Sequence, residues 1–372
     1  MSKTGRCADV AANDYSGVVL SSAAEIHRLE DTARRLMQPE DATFSWFFPG
    51  FFLASLSKGW RPKVVVVCSG LDVVGILYAK ERIIKGIPTG IVYADGSLGS
   101  VLLADSFYHR PAFRVATETL LASRGIRSMR LRVLQSGRDF DAVLHLASSK
   151  SLDTQYFPME DRSSTLWKNH AHLSLAGTYD QFLEALGSTT RHNFRYYRRR
   201  FEASGHKFVE HLSIDELRLA TLRLRPKSKL TAGSQQTSLQ SHLNMVAAAS
   251  RPLAIGLRHS GGEWLSVLGG WYRPDGAVLC FQCNNEEDFA RDSLSLVLRA
   301  YLIEMLIRHG LKELVIWADT GPPLSRYVTY AQTIEVRVDV SSRSWRIVRS
   351  ILSKVEPHLP RRLATAAHWI TG

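Results

Sequence analysis

One succession of elements occurs twice in this chain, and that repetition constrains the fold more than any bulk property. In the first half, β-branched or alternating apolar runs at 64–68, 73–80 and 91–94 are punctuated by Ser69-Gly70, Gly90 and Asp95-Gly96, which read as strands separated by turns. A helical pattern over 111–123 begins with Pro111 near its first turn and stops at Gly125, and 126–134 alternates apolar with basic residues, as a half-buried strand does. In the second half, strands are expected over 253–259, 264–272 and 277–283, with turns at Ser260-Gly261-Gly262 and Pro274-Asp275-Gly276. The second turn has a clear mechanism, since proline presets φ and glycine accepts a positive one. A helix over 293–309 carries Leu294, Leu298, Tyr301 and Met305 on one face, Gly310 ends it, and 311–317 closes the block. Gly125 and Gly310 stand 185 residues apart, half of a 372-residue chain. A repeat on that scale means two similar α/β domains, not a solenoid of short units.

The expected organisation is a polar tail over 1–21, a first domain over 22–165, a second over 166–340 and a basic amphipathic segment over 341–372. Helices are expected near 23–37 and, rich in aromatics such as Phe44, Trp46, Phe51 and Phe52, near 44–56. The length supports two cores. No apolar stretch reaches the roughly 18 residues of a spanning helix, and the first twenty residues lack the continuous apolar core of a secretory signal. Four cysteines are too few for a disulfide scaffold, so a cytoplasmic, reducing setting is the default expectation. The formal charge of +12 asks for an anionic partner.

Half of that excess falls on 182–229, which holds eleven Lys/Arg against five Asp/Glu. Its centre is a helical segment in which Phe194, Tyr197 and Phe201 form a stripe and Arg191, Arg195 and Arg198 a ribbon beside it. Aromatic and basic residues interleaved in this way suit a nucleic-acid surface; they equally describe an amphipathic helix with a solvated face. Cys280 and Cys283 have no second ligand pair for zinc, and an odd spacing on a strand turns their thiols to opposite faces. No metal site is expected. Toward the C-terminus, Trp345, Val348, Leu352 and Val355 make an apolar stripe flanked by Arg343, Arg346, Arg349 and Lys354. Such a helix either docks on the second domain or lies peripherally on an anionic membrane.

Arg191, Asn193, Phe194, Arg195, Arg198, Arg199, Phe201, Glu202 and Gly205 resemble the conserved basic helix of CelD/BcsL-type acetyltransferases of the GNAT superfamily. The block over 253–317 is similar to the remainder of that domain, and the first half resembles the degenerate N-terminal unit of the same proteins. The resemblance implies two tandem GNAT-like domains with mixed sheets flanked by helices. It further implies an N- or O-acyltransferase using acetyl-CoA or another acyl-CoA on a small-molecule or glycan acceptor, such as an exopolysaccharide or cell-envelope precursor. The cofactor would lie along Gln282, Cys283 and Asn284 and at a helix start near Ser293, Leu294 and Ser295, where unpaired amides favour a pyrophosphate; Ser293 is equally an ordinary helix cap. Arg191, Asn193, Arg195 and Arg198 would hold CoA phosphates or an anionic acceptor. Glu286, Glu287 and Asp319 are candidate bases past strand ends, and Tyr327 would protonate the departing thiolate. The family's glycine is missing from the stretch between Gly276 and Gly310, and Val328 replaces its lysine. Two alternatives therefore stand: a FemABX-type transferase using aminoacyl-tRNA, and a GNAT-fold binding protein without catalysis.

Overall fold

The computed structural model describes residues 15–37, 47–97, 99–135, 137–146, 152–158, 170–175, 177–226, 232–285, 289, 291–317, 320, 323–340, 343–355 and 358. The chain forms two units, one from 1–38, 59–158 and 334–372, the other from 39–58 and 159–333. This differs from two domains in simple succession with a separate C-terminal segment. Residues 334–340 return to the first unit because Ile334, Val336 and Val338 complete its apolar core.

The sheet of unit 1 runs β1 (Tyr15–Leu20), β2 (Trp60–Ser69), β3 (Asp72–Ile84), β4 (Ile87–Asp95), β6 (Ser128–Leu134), β16 (Thr333–Val340) and β7 (Leu152–Pro158), with β5 (Leu102–Ala104) beside β3. Helices α1 (Ala23–His27), α2 (Glu30–Leu36), α4 (His109–Ala122), α5 (Arg138–Leu146) and α11 (Arg343–Val355) complete it. The segment expected as a tail thus contributes an edge strand. Gly17 permits it: a Cβ there would meet Thr119 Oγ1 of α4 at 2.3 Å. Beside Thr119 on the sheet-facing side of α4, Phe113, Ala116 and Leu120 pack among Val65, Leu77, Val92 and Leu131, and burying a side chain such as Phe113 stabilises by about 1.5–3 kcal/mol.

Unit 2 contains α3 (Pro49–Ala54), β8 (Ala171–Ser174), α6 (Tyr179–Ala185), α7 (Ser188–Ala203), β9 (Lys207–Val209), α8 (Ile214–Arg223), β10 (Arg225–Pro226), α9 (Ala232–Ala248), β11 (Pro252–Arg258), β12 (Trp264–Tyr272), β13 (Gly276–Asn284), α10 (Leu294–Arg308), β14 (Glu313–Ile316) and β15 (Thr329–Tyr330). Its sheet order is β15-β8-β14-β13-β12-β11-β9, with β10 on β13. The expected aromatic helix is shorter than 44–56, opening at Pro49; Phe44 and Trp46 lie outside the described residues.

The repeat is real. Three antiparallel strands, β2-β3-β4 and β11-β12-β13, are each followed by a helix and by a strand parallel to the third. The helices start at His109 and Leu294 and the parallel strands at Ser128 and Glu313, so both offsets are 185 residues. Helix α10 buries residues on nearly every side, including Leu294, Val297, Leu298, Leu302, Ile303 and Leu306, as a helix does when covered on both sides. It lies between the sheet and α6 and α7, and α7 meets it with the predicted stripe of Phe194, Tyr197 and Phe201.

Candidate active site

The parallel pair of unit 2 is incomplete. Strand β13 pairs with β14 from Gly276 to Leu279, and the amide of Trp317 reaching the Leu279 carbonyl at 2.8 Å is the last bond between them among the described residues. Farther along the same strand, β10 pairs with Cys283 and Asn284. Cys280, Phe281 and Gln282 therefore have no strand partner on that edge among the described residues. An opening at the carboxyl ends of parallel strands is where α/β folds place their ligands.

A polar cluster fills the helix-facing side of this opening. Ser266 and Asn284 are cross-strand neighbours, and the serine hydroxyl donates to Asn284 Oδ1 at 2.6 Å. Gln282 Nε2 donates to the same oxygen at 3.1 Å and to the Ser295 carbonyl of α10 at 3.4 Å. Arg299, in the second turn of α10, donates from Nε to Gln282 Oε1 at 3.2 Å and from Nη1 to Thr320 Oγ1 at 3.0 Å. Gln282 and Thr320 are both neutral, and burial pulls the pKa of Arg299 below the ordinary arginine value. No carboxylate among the described residues pairs with it. Asn284 is 1% exposed, and its Nδ2 has no hydrogen-bond partner. A half-buried cation whose described partners are neutral, beside an idle donor, is costly unless something anionic joins them.

Helix α10 begins beside this cluster with a strained residue. Ser293 has φ 47° and ψ 44°, and its side chain makes no capping bond. Lys85, the other described non-glycine residue at positive φ, lies with Gly86 in the tight β3–β4 hairpin, where such a conformation is ordinary. Ser293 has no hairpin to explain it, and a left-handed serine costs about 1–3 kcal/mol, a strain that collects at ligand sites. The same first turn walls a cleft of about 150 Å³ lined by Leu294, Asp292, Arg200, Tyr197, Phe289 and His206 among others. Arg200 pairs with Asp292 at 2.9 Å. His206 accepts the Ser260 amide on Nδ1 at 3.2 Å; burial, then the neighbouring His259, lowers its pKa against the pull of Asp292. Its ring is therefore neutral near pH 7.

The residues expected from the sequence fall into three sets. Gln282, Asn284 and Ser295 converge in the cluster, with Leu294 and Ser293 at its helical wall. Cys283 does not join them: it is buried on the opposite face of β13, and burial raises its thiol to about 12. The ribbon on α7 is divided. Arg198 turns inward to Glu304 at 2.7 Å and Glu202 at 2.9 Å, with its guanidinium 4.3 Å from the Tyr301 ring. Burial opposes its charge, but those carboxylates outweigh it and raise its pKa. It fastens α7 to α10. Arg195 faces outward near Asp180 at 3.8 Å, and Arg191 and Asn193 are half-buried. Tyr327 accepts the Gly187 amide at 2.7 Å, capping α7, and that bond, with Thr190, lowers its pKa. Glu286, Glu287 and Asp319 lie outside the described residues. Arg299, Ser266, Thr320 and His206 were not foreseen. Among the described residues no three His, Cys, Asp or Glu side chains converge as a metal site.

No protein-family model matches the chain, and no curated protein does. Solved structures do. FemX is similar over 78% of this chain and 90% of its own, at 9% identity and a TM-score of 0.55. A conserved protein of unknown function from Bacteroides thetaiotaomicron VPI-5482 is similar over 87% and 100%, at 8% identity and a TM-score of 0.51. A tandem GNAT protein from the clavulanic acid biosynthesis pathway aligns over 88% and 99%, at 12% identity and a TM-score of 0.47. With the repeated topology above, this is an α/β fold of two mixed sheets flanked by helices, similar to that of FemX.

Proposed function

We propose that unit 2 carries an acyltransferase centre that moves an acyl group from acyl-CoA, acetyl-CoA first among them, to an amine or hydroxyl of a sugar or of an exopolysaccharide or cell-envelope precursor. The observation that carries this reading is the opening between β13 and β14 with a buried, donor-rich, cationic cluster inside it. Acyl transfer builds negative charge on the carbonyl oxygen, and preset donors in a dry site stabilise that charge. Among the described residues, Asn284 Nδ2 has no hydrogen-bond partner and the Arg299 guanidinium no carboxylate, and both are such donors. Chain connectivity puts Asp319 next to Thr320, which bonds Arg299, and puts Glu286 and Glu287 just beyond Asn284. In this reading one of these carboxylates takes the acceptor's proton, and Tyr327, which accepts from Gly187 and keeps its own hydroxyl proton, supplies one to the leaving thiolate.

Calorimetric titration with acetyl-CoA, followed by thiol release in the presence of amino-sugar acceptors, tests it. Binding with turnover is expected; no heat at millimolar acetyl-CoA sinks it, and binding without turnover returns the protein to the non-catalytic alternative. One observation favours aminoacyl transfer instead. Arg195, Arg199 and Arg200 leave a run of exposed cations along α7, the neutralising charge that a nucleic-acid backbone takes up. Salt-sensitive retention of aminoacyl-tRNA together with silence toward acetyl-CoA selects that reading.

A further inference from the structure

Helix α11 keeps its apolar residues on one arc. At the helical repeat, Ile347, Val348, Ile351, Leu352 and Val355 fall within about 140° of the circumference, with Lys354 at the edge of that arc and Ser350 beyond it. A stripe of that width ordinarily marks the face a helix buries. Here it is in solvent: Ile347 is 51% exposed, Val348 45%, Ile351 55% and Val355 41%. Leu71 lies in a hairpin turn and Ile87 beside one, where scattered exposure is normal, and α8 exposes the pair Leu219 and Leu222. Four on one helix form a patch, which marks a contact surface.

The charge says what the contact is with. The thirteen residues of α11 include Arg343, Arg346, Arg349 and Lys354 and no acid, within a chain that carries +12. A helix whose sequence joins a continuous apolar stripe to uncompensated cations is built for a surface that is apolar beneath and anionic above. We propose that α11 is a membrane-surface helix that docks this protein on an anionic lipid bilayer, its apolar arc at the boundary between headgroups and acyl chains. No helix among the described residues is long and apolar enough to cross a membrane, so the contact is in-plane. The inference stands apart from the acyl-transfer reading: it needs only α11.

Co-sedimentation of the full chain with lipid vesicles tests it. The wild type is expected to pellet with phosphatidylcholine vesicles containing phosphatidylglycerol at low salt, and at least about tenfold less with phosphatidylcholine alone or at high salt. The double variant Ile347→Asp, Ile351→Asp removes pelleting by a similar factor. Both side chains are exposed, so its thermal unfolding stays at the wild-type temperature and the loss is not misfolding. Charge reversal by Arg346→Glu with Arg349→Glu weakens pelleting and its salt dependence together. Wild type left in the supernatant with phosphatidylglycerol overturns the proposal, as does an aspartate double variant that pellets unchanged. Sedimentation velocity showing a dimer that the aspartate variant dissolves, with no vesicle binding, overturns it in favour of a second copy of this chain.

Discussion

The two units place a helix and two parallel strands in the same order and finish the corner between them in opposite ways. In unit 1, β4 and β6 pair through to Asp95 and Arg132, and the Gly96 amide extends the contact to the Arg132 carbonyl at 2.7 Å. The loop and helices beside them are tied by a buried carboxylate: Asp139 accepts from Ser100 Oγ at 2.6 Å and Val101 N at 2.7 Å and lies 3.1 Å from His109 Nε2 at the start of α4. In unit 2 the pair stops after four residues, and the strand runs on into a cluster where, among the described residues, a cation meets no acid. At this corner one copy of the repeat has satisfied its buried carboxylate. The other has left donors in excess, and a surplus of that kind is what a ligand completes.

The largest expected effect separates the copies by activity. Arg299 and Arg114 occupy the same offset from the starts of α10 and α4. Arg299→Gln is expected to lower kcat about 10²–10³-fold, as loss of an oxyanion donor does, while Arg114→Gln leaves it unchanged. Equal losses in both would break the comparison; steady-state assays with each variant decide it. Next in size is a stability effect confined to the closed copy. Asp139→Ala strands three partners, including a buried amide and hydroxyl, and is expected to cost about 3 kcal/mol in denaturant unfolding with acetyl-CoA affinity unaltered. The smallest is a gain. Ser293→Gly relieves a left-handed backbone and is expected to add about 1 kcal/mol, read as a raised midpoint; a loss of stability would mean that the serine side chain holds more than its backbone suggests.

Much of this fold was legible in the sequence because its signals are local. The strand expected over 264–272 is the one observed, and that over 277–283 lengthens by one residue at each end, since alternation and flanking glycines mark them. Elements defined by distant partners were not legible. Strand β7 lies in a stretch with no clear period, and β16 reads as the end of the second domain until its place between β6 and β7 is seen. The site divides in the same way. Gln282 and Asn284 stand out at a strand end, whereas Arg299 reads as one polar interruption of an apolar helix, and its meaning depends on Thr320, 21 residues away. The ribbon of Arg191, Arg195 and Arg198 looked uniform by spacing, yet Glu304, on another helix, claims one member of it. Periodicity assigns a residue to a face and is silent on what waits opposite.

The position of β16 also governs the order in which this chain can mature on the ribosome. Sheet 1 has β16 between β6 and β7, and β16 begins at Thr333, about 170 residues after β7 ends at Pro158. At about 5–20 residues per second that is a wait of roughly 10–35 s, during which β6 presents an unpaired edge open to wrong pairing. The strands of sheet 2 have all been synthesised before β16 emerges. The unit that starts first is therefore the last to close, and a nascent chain released short of residue 333 has no complete first unit, however well the second has folded.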